Sequence, residues 1–222
     1  HHDFALHGMQ PAYGSIVGGG ANACVLHYIE NSAELQAGTL CLIDAGAEYQ
    51  GYAADITRTF PVDGRYTTPQ REIYEVVLSA QLAAIDAVQL GQDWLAPHRA
   101  SVRAITEGLV ALGILHGDVE ELIAAEAHQK FFMHKTGHWI GLDVHDVGSY
   151  REGGDWRELE AGHVLTIEPG LYFSPDNPDT PAAYSGIGIR IEDDVHVTAS
   201  GPDILTAAVP KPVADIEALM AE

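Results

Sequence analysis

Four short apolar runs in this chain each carry a carboxylate that a buried strand would not be expected to hold. LTIEPGLYF (165–173) encloses Glu168 and stops at Pro169-Gly170. LCLIDAG (40–46) ends on Asp44, AADITRTF (53–60) carries Asp55, and GIGIRIEDD (186–194) carries Glu192. A charge in such a place is costly to desolvate unless something compensates it. A fold for this sequence must answer all four with one arrangement.

With 222 residues the chain suits one large domain or two small ones and can bury a substantial core. We read it as a single domain over 1–222. Acidic residues outnumber basic ones 32 to 11, a formal charge of -21. That balance excludes nucleic acid and anionic membranes as natural partners and suits bound cations. Cys24 and Cys41 lie in apolar runs and read as reduced core residues of a cytoplasmic protein. No apolar run approaches the roughly 18 residues of a spanning helix, and no signal peptide is visible. HHDFALHGM reads as the end of a helix, so the chain is expected to be the later part of a longer protein.

Periodicity predicts an α+β order. Strands are expected at Tyr13–Gly18, Ala23–Tyr28, Thr39–Ala45, Ala53–Val62, Lys130–Met133, Val164–Phe173, Ile187–Ile191 and Val195–Thr198. Gly46–Gly51 is expected as a turn that makes Asp44 and Asp55 neighbours in a hairpin, on one face. A helix is expected from Thr68-Pro69 to Gly91, with Ile73, Val76, Val77, Ala80, Ala84 and Val88 as its apolar stripe. A second runs from Pro97 to Gly113. A third, from Asp118 to about Ala127, opens on a capping box with Glu121, and a last one covers Val213–Met220. HKTGHWIGLDVHDVG (134–148) is too rich in glycine for a helix and reads as a structured loop. Gly18-Gly19-Gly20 lacks the Lys-Ser/Thr of a phosphate loop and reads as a turn. The two carboxylate pairs, Asp44 with Asp55 and Glu168 with Glu192, echo each other and predict two αβ halves closing on a shared face.

If the four carboxylates converge, each charge pair at about 4 Å repels by roughly 1 to 4 kcal/mol. Six such pairs would strain a domain whose net stability is about 5 to 15 kcal/mol. Protonation would relieve this strain, and two divalent cations would relieve it fully by balancing the four charges. His138, in Thr136-Gly137-His138, completes a five-residue set. Oxygen-rich ligation with one imidazole favours Mn²⁺, Co²⁺ or Fe²⁺, with Zn²⁺ also admissible. Paired metals suit hydrolysis. Singly, each carboxylate has a bland reading: Asp44 as a turn former, Glu192 as part of a solvated charge run with Asp193 and Asp194. His7, His98, His116, His128, His163 and His196 read as surface or core residues, and Gly186, Gly188 and Arg190 do not make a nucleotide site.

At these motifs, from about Tyr13 to Thr198, the sequence resembles the pita-bread dinuclear metallopeptidases, and within them the Xaa-Pro aminopeptidase branch. The resemblance implies two pseudo-symmetric αβ halves around a curved antiparallel sheet. It implies metal ligation by Asp44, Asp55, His138, Glu168 and Glu192, with Glu168 also the proton shuttle. It implies that His27 closes on the substrate, His134 lines a proline pocket, and His145 donates to the substrate carbonyl. Arg190 corresponds to the arginine of the proline-specific branch, and Tyr13 and Tyr172 to aromatics near the metals. For His145 an ion pair with Asp143 or Asp146 is the structural alternative. The implied reaction is cleavage between an N-terminal residue and a following proline, most naturally with Mn²⁺. The implied partners are peptides with proline second and further copies of the chain. The family also carries an N-terminal domain ahead of this stretch. Dipeptide-cleaving prolidase, a non-enzymatic module of the same fold and an inactive fragment are the competing readings. Arg190-Ile191-Glu192 argues against methionine aminopeptidase.

Overall fold

The computed structural model describes residues 1–221. Helix α1 (His2–Leu6) leads into strands β1 (Gln10–Pro11), β2 (Ile16–Gly19), β3 (Leu40–Asp44), β4 (Ala47–Tyr49), β5 (Tyr52–Ala53) and β6 (Thr57–Pro61). Helices α2 (Thr68–Asp86), α3 (Ala96–Ala111) and α4 (Val119–Ala124) follow. The second run of strands is β7 (Arg151–Glu152), β8 (Asp155–Trp156), β9 (Val164–Ile167), β10 (Gly170–Phe173), β11 (Ile187–Arg190), β12 (Asp193–Thr198) and β13 (Gly201–Ile204). Helix α5 (Val213–Leu219) closes the chain.

The α+β order forms two related halves. In the first, β3 lies between β2 and β6; in the second, β12 lies between β13 and β9; every pairing is antiparallel. The β10–β11 pair bridges them, with Thr59 Oγ1 donating to the Arg190 carbonyl at 3.0 Å. Helix α2 spans both halves. Its Ile73, Tyr74 and Val77 pack with Ile105, Leu109, Phe131 and Phe173, while its Ala84 and Ile85 pack with Trp94, Trp139, Leu165 and Val195. The predicted stripe is therefore the buried face, although Val76 is only partly covered. Thr67 caps α2 through a reciprocal pairing with Gln70, and Asp118 caps α4 by accepting from the amides of Glu120 and Glu121.

Several expected strands are different. Ala23–Tyr28 is no strand: Gly20–Cys24 is a 3-10 turn, and Val25 N donates back to Asn22 O. Before Phe131 a 3-10 turn (Ala127–Lys130) replaces the expected strand, leaving only a bond from Tyr172 N to Phe131 O. Val164–Phe173 is two strands in two sheets, because Pro169 has no N–H to continue the ladder. The expected turn at 46–51 is itself a hairpin, β4 to β5, whose loop residues Gln50 and Gly51 have φ of 52° and 88° as a type I′ turn requires. Helix α2 ends at Asp86, short of Gly91, and α4 at Ala124. Strands β1, β7, β8 and β13 were too short or too polar for alternation to reveal. No helix among the described residues is long and apolar enough to cross a membrane.

Candidate metal centre

The four carboxylates sit where the two ladders end. Asp44 is the last residue of β3, opposite Thr57. Asp55 lies two residues before β6, and its amide donates to Asp194 Oδ2 at 3.0 Å. In the other half the ladder ends at Ile167 opposite Asp193. Glu168 and Glu192 are the next residues outward on each strand. They leave the ladder together, Glu168 through its amide to Thr136 O at 2.7 Å and Glu192 through its amide to Thr57 O at 3.1 Å. Thr57 Oγ1 donates to Glu192 Oε2 at 2.5 Å, tying the two halves at this point. Three of the four carboxylates thus belong to strand breaks, not to strands.

His138 comes from the glycine-rich loop. Its amide donates to Thr166 Oγ1 at 3.1 Å, and a Cβ on the preceding Gly137 would fall 1.9 Å from Thr166 O. Only glycine lets the loop lie this close to β9. His138 Nδ1 is 3.0 Å from its neighbour's carbonyl, Trp139 O, which holds the proton on Nδ1. Nε2 then presents its lone pair to the cavity, 3.5 Å from Asp55 Oδ2 and 3.6 Å from Glu168 Oε1.

Asp55, His138 and Glu192 each offer a donor atom within 4.8 Å of the others, a cluster able to hold a metal ion. Asp44 and Glu168 flank it and line the same cavity. Its volume of about 230 Å³ leaves room for ions and several waters at about 30 Å³ per water. Metal-free electrostatics are frustrated. Burial pushes Glu168 up to about 7, with Asp55 and Asp44 adding repulsion against Arg190 and His138. Burial and the neighbouring Asp55, Glu168 and Asp44 push Glu192 well above the carboxylate range. Asp44 is also raised by burial, partly offset by Arg190. Burial opposes charging of His138, but Asp55 and Glu168 outweigh it and raise that imidazole. Excess negative charge held by oxygen donors is the environment that divalent cations complete, so the donor set fits.

A second layer surrounds the cluster. Tyr13 Oη lies 2.5 Å from both Asp44 Oδ1 and Asp55 Oδ1. Arg190 Nη2 donates to Asp44 Oδ2 at 2.6 Å and Nη1 to Tyr172 Oη at 3.1 Å. His134 Nδ1 donates to Lys135 O at 2.7 Å, so its Nε2 accepts from Tyr172 Oη at 2.8 Å. Burial takes His134 down to about 4 and Tyr172 up to about 12, so both are neutral. His27 and His145 line the cavity, with the His145 ring 4.3 Å from that of His138. No ion pair joins His145 to Asp143 or Asp146 among the described residues; the Asp146 carboxylate accepts from the amides of Leu142 and Val147.

Every site residue expected from sequence therefore lies in or against one cavity. The supports did not show in the sequence. Thr57 and Thr166 each hold two site groups. The charge run after Glu192 is not solvated: Asp193 and Asp194 are buried, with Asp193 salt-bridged to Arg58 and Lys211. A single detail hinted at this, the apolar residues that flank EDD on both sides.

Comparison with known proteins agrees. The model of metallopeptidase family M24 matches residues 1–199. The Xaa-Pro aminopeptidase of Escherichia coli (strain K12) is 54% identical over 221 residues, 99% of this chain and 50% of that protein. That of Haemophilus influenzae is 55% identical over 220 residues, covering 99% and 51%. The structure of Pseudomonas aeruginosa aminopeptidase PepP superposes with a TM-score of 0.97 at 57% identity, covering 99% of this chain and 50% of that one. The chain thus spans about half the length of the relatives it matches. With this fold, these ladder-end carboxylates and this match over most of its length, the chain belongs to metallopeptidase family M24 and has the pita-bread fold of the aminopeptidase P structures.

Proposed function

We propose that this chain is a single catalytic unit that hydrolyses the bond between an N-terminal residue and a following proline. The observation that carries the reading is the convergence of four carboxylates and one correctly protonated histidine in a cavity also lined by His27, His134, His145 and Arg190. Asp44, Asp55, His138, Glu168 and Glu192 would hold two divalent ions, with Mn²⁺ the proposed metal. When bound, the ions supply an acidified water and a polarised carbonyl.

The chain's own residues do the rest. Glu168 takes a proton on a carboxylate oxygen and returns it to the leaving nitrogen. His145 donates to the oxygen that gains charge, and His27 closes over the substrate. His134, held by Tyr172, walls the ring of proline, while Arg190 holds Asp44 and Tyr172 in place. The free Cys24 and Cys41 support a reducing, cytoplasmic setting.

The test is metal-stripped protein reloaded with Mn²⁺ and offered an Arg-Pro-Pro tripeptide, an Xaa-Pro dipeptide and a Met-Ala peptide. Release of the first residue from the tripeptide alone is expected. Dipeptide cleavage alone would make the chain a prolidase, and no cleavage with any metal would defeat the enzymatic reading. Asp55→Ala should lower both bound metal and turnover by more than the roughly 10–100-fold cost of losing an outer-shell partner. Retained turnover would remove Asp55 from the site.

A further inference from the structure

Beside the metal cavity runs a second groove of about 300 Å³, lined by Trp94, Leu95, Lys135, Gly137, Tyr150 and Trp156. It shares Lys135 and Gly137 with the metal cavity, so the two adjoin at these residues. Its wall is aromatic. Trp94 and Tyr150 are tilted together with centroids 4.8 Å apart, and Trp94 rests on Trp139 at 4.1 Å. Tyr150 is 37% exposed, so this face is open to a ligand.

The charges around this groove are unusual for the chain. It has 11 Lys and Arg against 32 Asp and Glu, and most of its cations are matched by carboxylates. Among the described residues, only Arg65, Lys135 and Arg151 lie farther than 4.0 Å from every Asp and Glu oxygen. Two of those three flank the groove. Lys135 stands at its junction with the metal cavity, and Arg151 stacks its guanidinium 3.8 Å over the Trp156 ring.

We propose that this groove binds the residue after proline, and that it selects an aromatic or large apolar side chain followed directly by a free C-terminal carboxylate. The preferred ligand class is thus a short peptide, Xaa-Pro-aromatic, ending there. The rings take the side chain by stacking. Lys135 and Arg151 take the carboxylate, which the chain's net negative charge would otherwise repel. Lys135 follows His134, the residue proposed for the proline ring, so the groove begins where the next residue leaves. The direction of the bound peptide rests on the proposed function; the groove's preference for an aromatic carboxylate does not.

The test keeps the two apart by measuring binding without turnover. All three tryptophans of the chain, Trp94, Trp139 and Trp156, stand in or behind the groove, so their fluorescence reports occupancy. Metal-loaded protein is titrated with Pro-Phe, Pro-Phe amide and Pro-Gly. Pro-Phe should bind about three- to tenfold more tightly than either comparator. Lys135→Met, a change at an exposed side chain, should erase the acid-over-amide difference, and Trp156→Ala should erase the Phe-over-Gly difference. Equal affinities in the unaltered protein, no binding of Pro-Phe, or a Lys135→Met variant that keeps the preference would each overturn the proposal. Selective Pro-Phe binding without cleavage of any Xaa-Pro peptide would support the groove and refute the proposed reaction.

Discussion

Asp193→Ala is expected to melt about 6 to 20 °C below the unaltered protein, the range set by a loss of about 3 to 5 kcal/mol in a chain of this size. The reason is what surrounds it. Asp193 is fully buried and accepts from Arg58 Nη2 at 2.7 Å, Lys211 Nζ at 2.7 Å, Gln81 Nε2 at 2.7 Å and Thr206 Oγ1 at 2.7 Å. Burial alone would raise its carboxyl, but Arg58 and Lys211 outweigh that and hold it below the usual range. Removing it leaves two cations in a buried site with no counter-charge. The damage should reach the metal centre, because Arg58 Nη1 also donates to the carbonyls of Glu192 at 2.5 Å and Thr57 at 2.9 Å. Metal affinity is therefore expected to fall about 10–100-fold, as for other outer supports of a ligand. Calorimetric melting and metal titration check both parts. A melt within 2 °C of the parent, taking about 2 °C as the least shift from 1 kcal/mol, would show that the cluster contributes little.

Stripping the metal should make stability fall as pH rises from 6.5 to 8. Glu168 titrates near 7 in the folded chain against an ordinary 4.5, and Asp194 near 7 against 3.8, both first through burial. An acid whose folded value is raised keeps its full contribution below the unfolded value and loses it as pH climbs through the folded one. Glu192, raised further, extends the loss upward, and the raised His138 acts in the same direction. Burial lowers His98 and His134, both to about 4, and also His128, His145 and His163; these act oppositely, but their effect is halved at their ordinary 6.5 and fades over about one unit above it. The falling contributions therefore dominate increasingly toward pH 8. Divalent ions at about 100 times their dissociation constant should restore about 2.7 kcal/mol per site and flatten the profile. Melting curves with chelator and with Mn²⁺ at pH 6.5, 7.25 and 8 make the comparison. A chelated protein whose melting point rises over this interval would contradict the charge frustration described for the cavity.

Legibility followed locality. The helices were readable because the stripe of Ile73, Val77, Ala80 and Ala84 repeats within one element. The candidate carboxylates were readable because a carboxylate in an apolar run is a conflict visible in a few neighbouring residues. The interruption at Glu168-Pro169 was written in the proline, yet its consequence was not: β9 and β10 join different sheets, and that depends on partners elsewhere in the chain. Ala23–Tyr28 shows the opposite case, an apolar stretch expected as a strand whose first two residues belong to a 3-10 turn.

The sequence alone determined which groups need compensation. Buried charge has an energetic cost wherever it lies, so Asp44, Asp55, Glu168 and Glu192 marked a candidate cation site before any geometry was known. Only the tertiary structure decided how that site is held. Asp193 and Asp194 look like surface charge in a one-dimensional reading, and folding places both in the interior, with Asp193 between Arg58 and Lys211. Lys135 and Arg151 are ordinary basic residues in the sequence. They become a feature of the aromatic groove only when the fold sets them beside Trp94, Tyr150 and Trp156 and away from every carboxylate partner among the described residues. Burial and pairing are properties of positions in space, and residues far apart in the chain acquire them together.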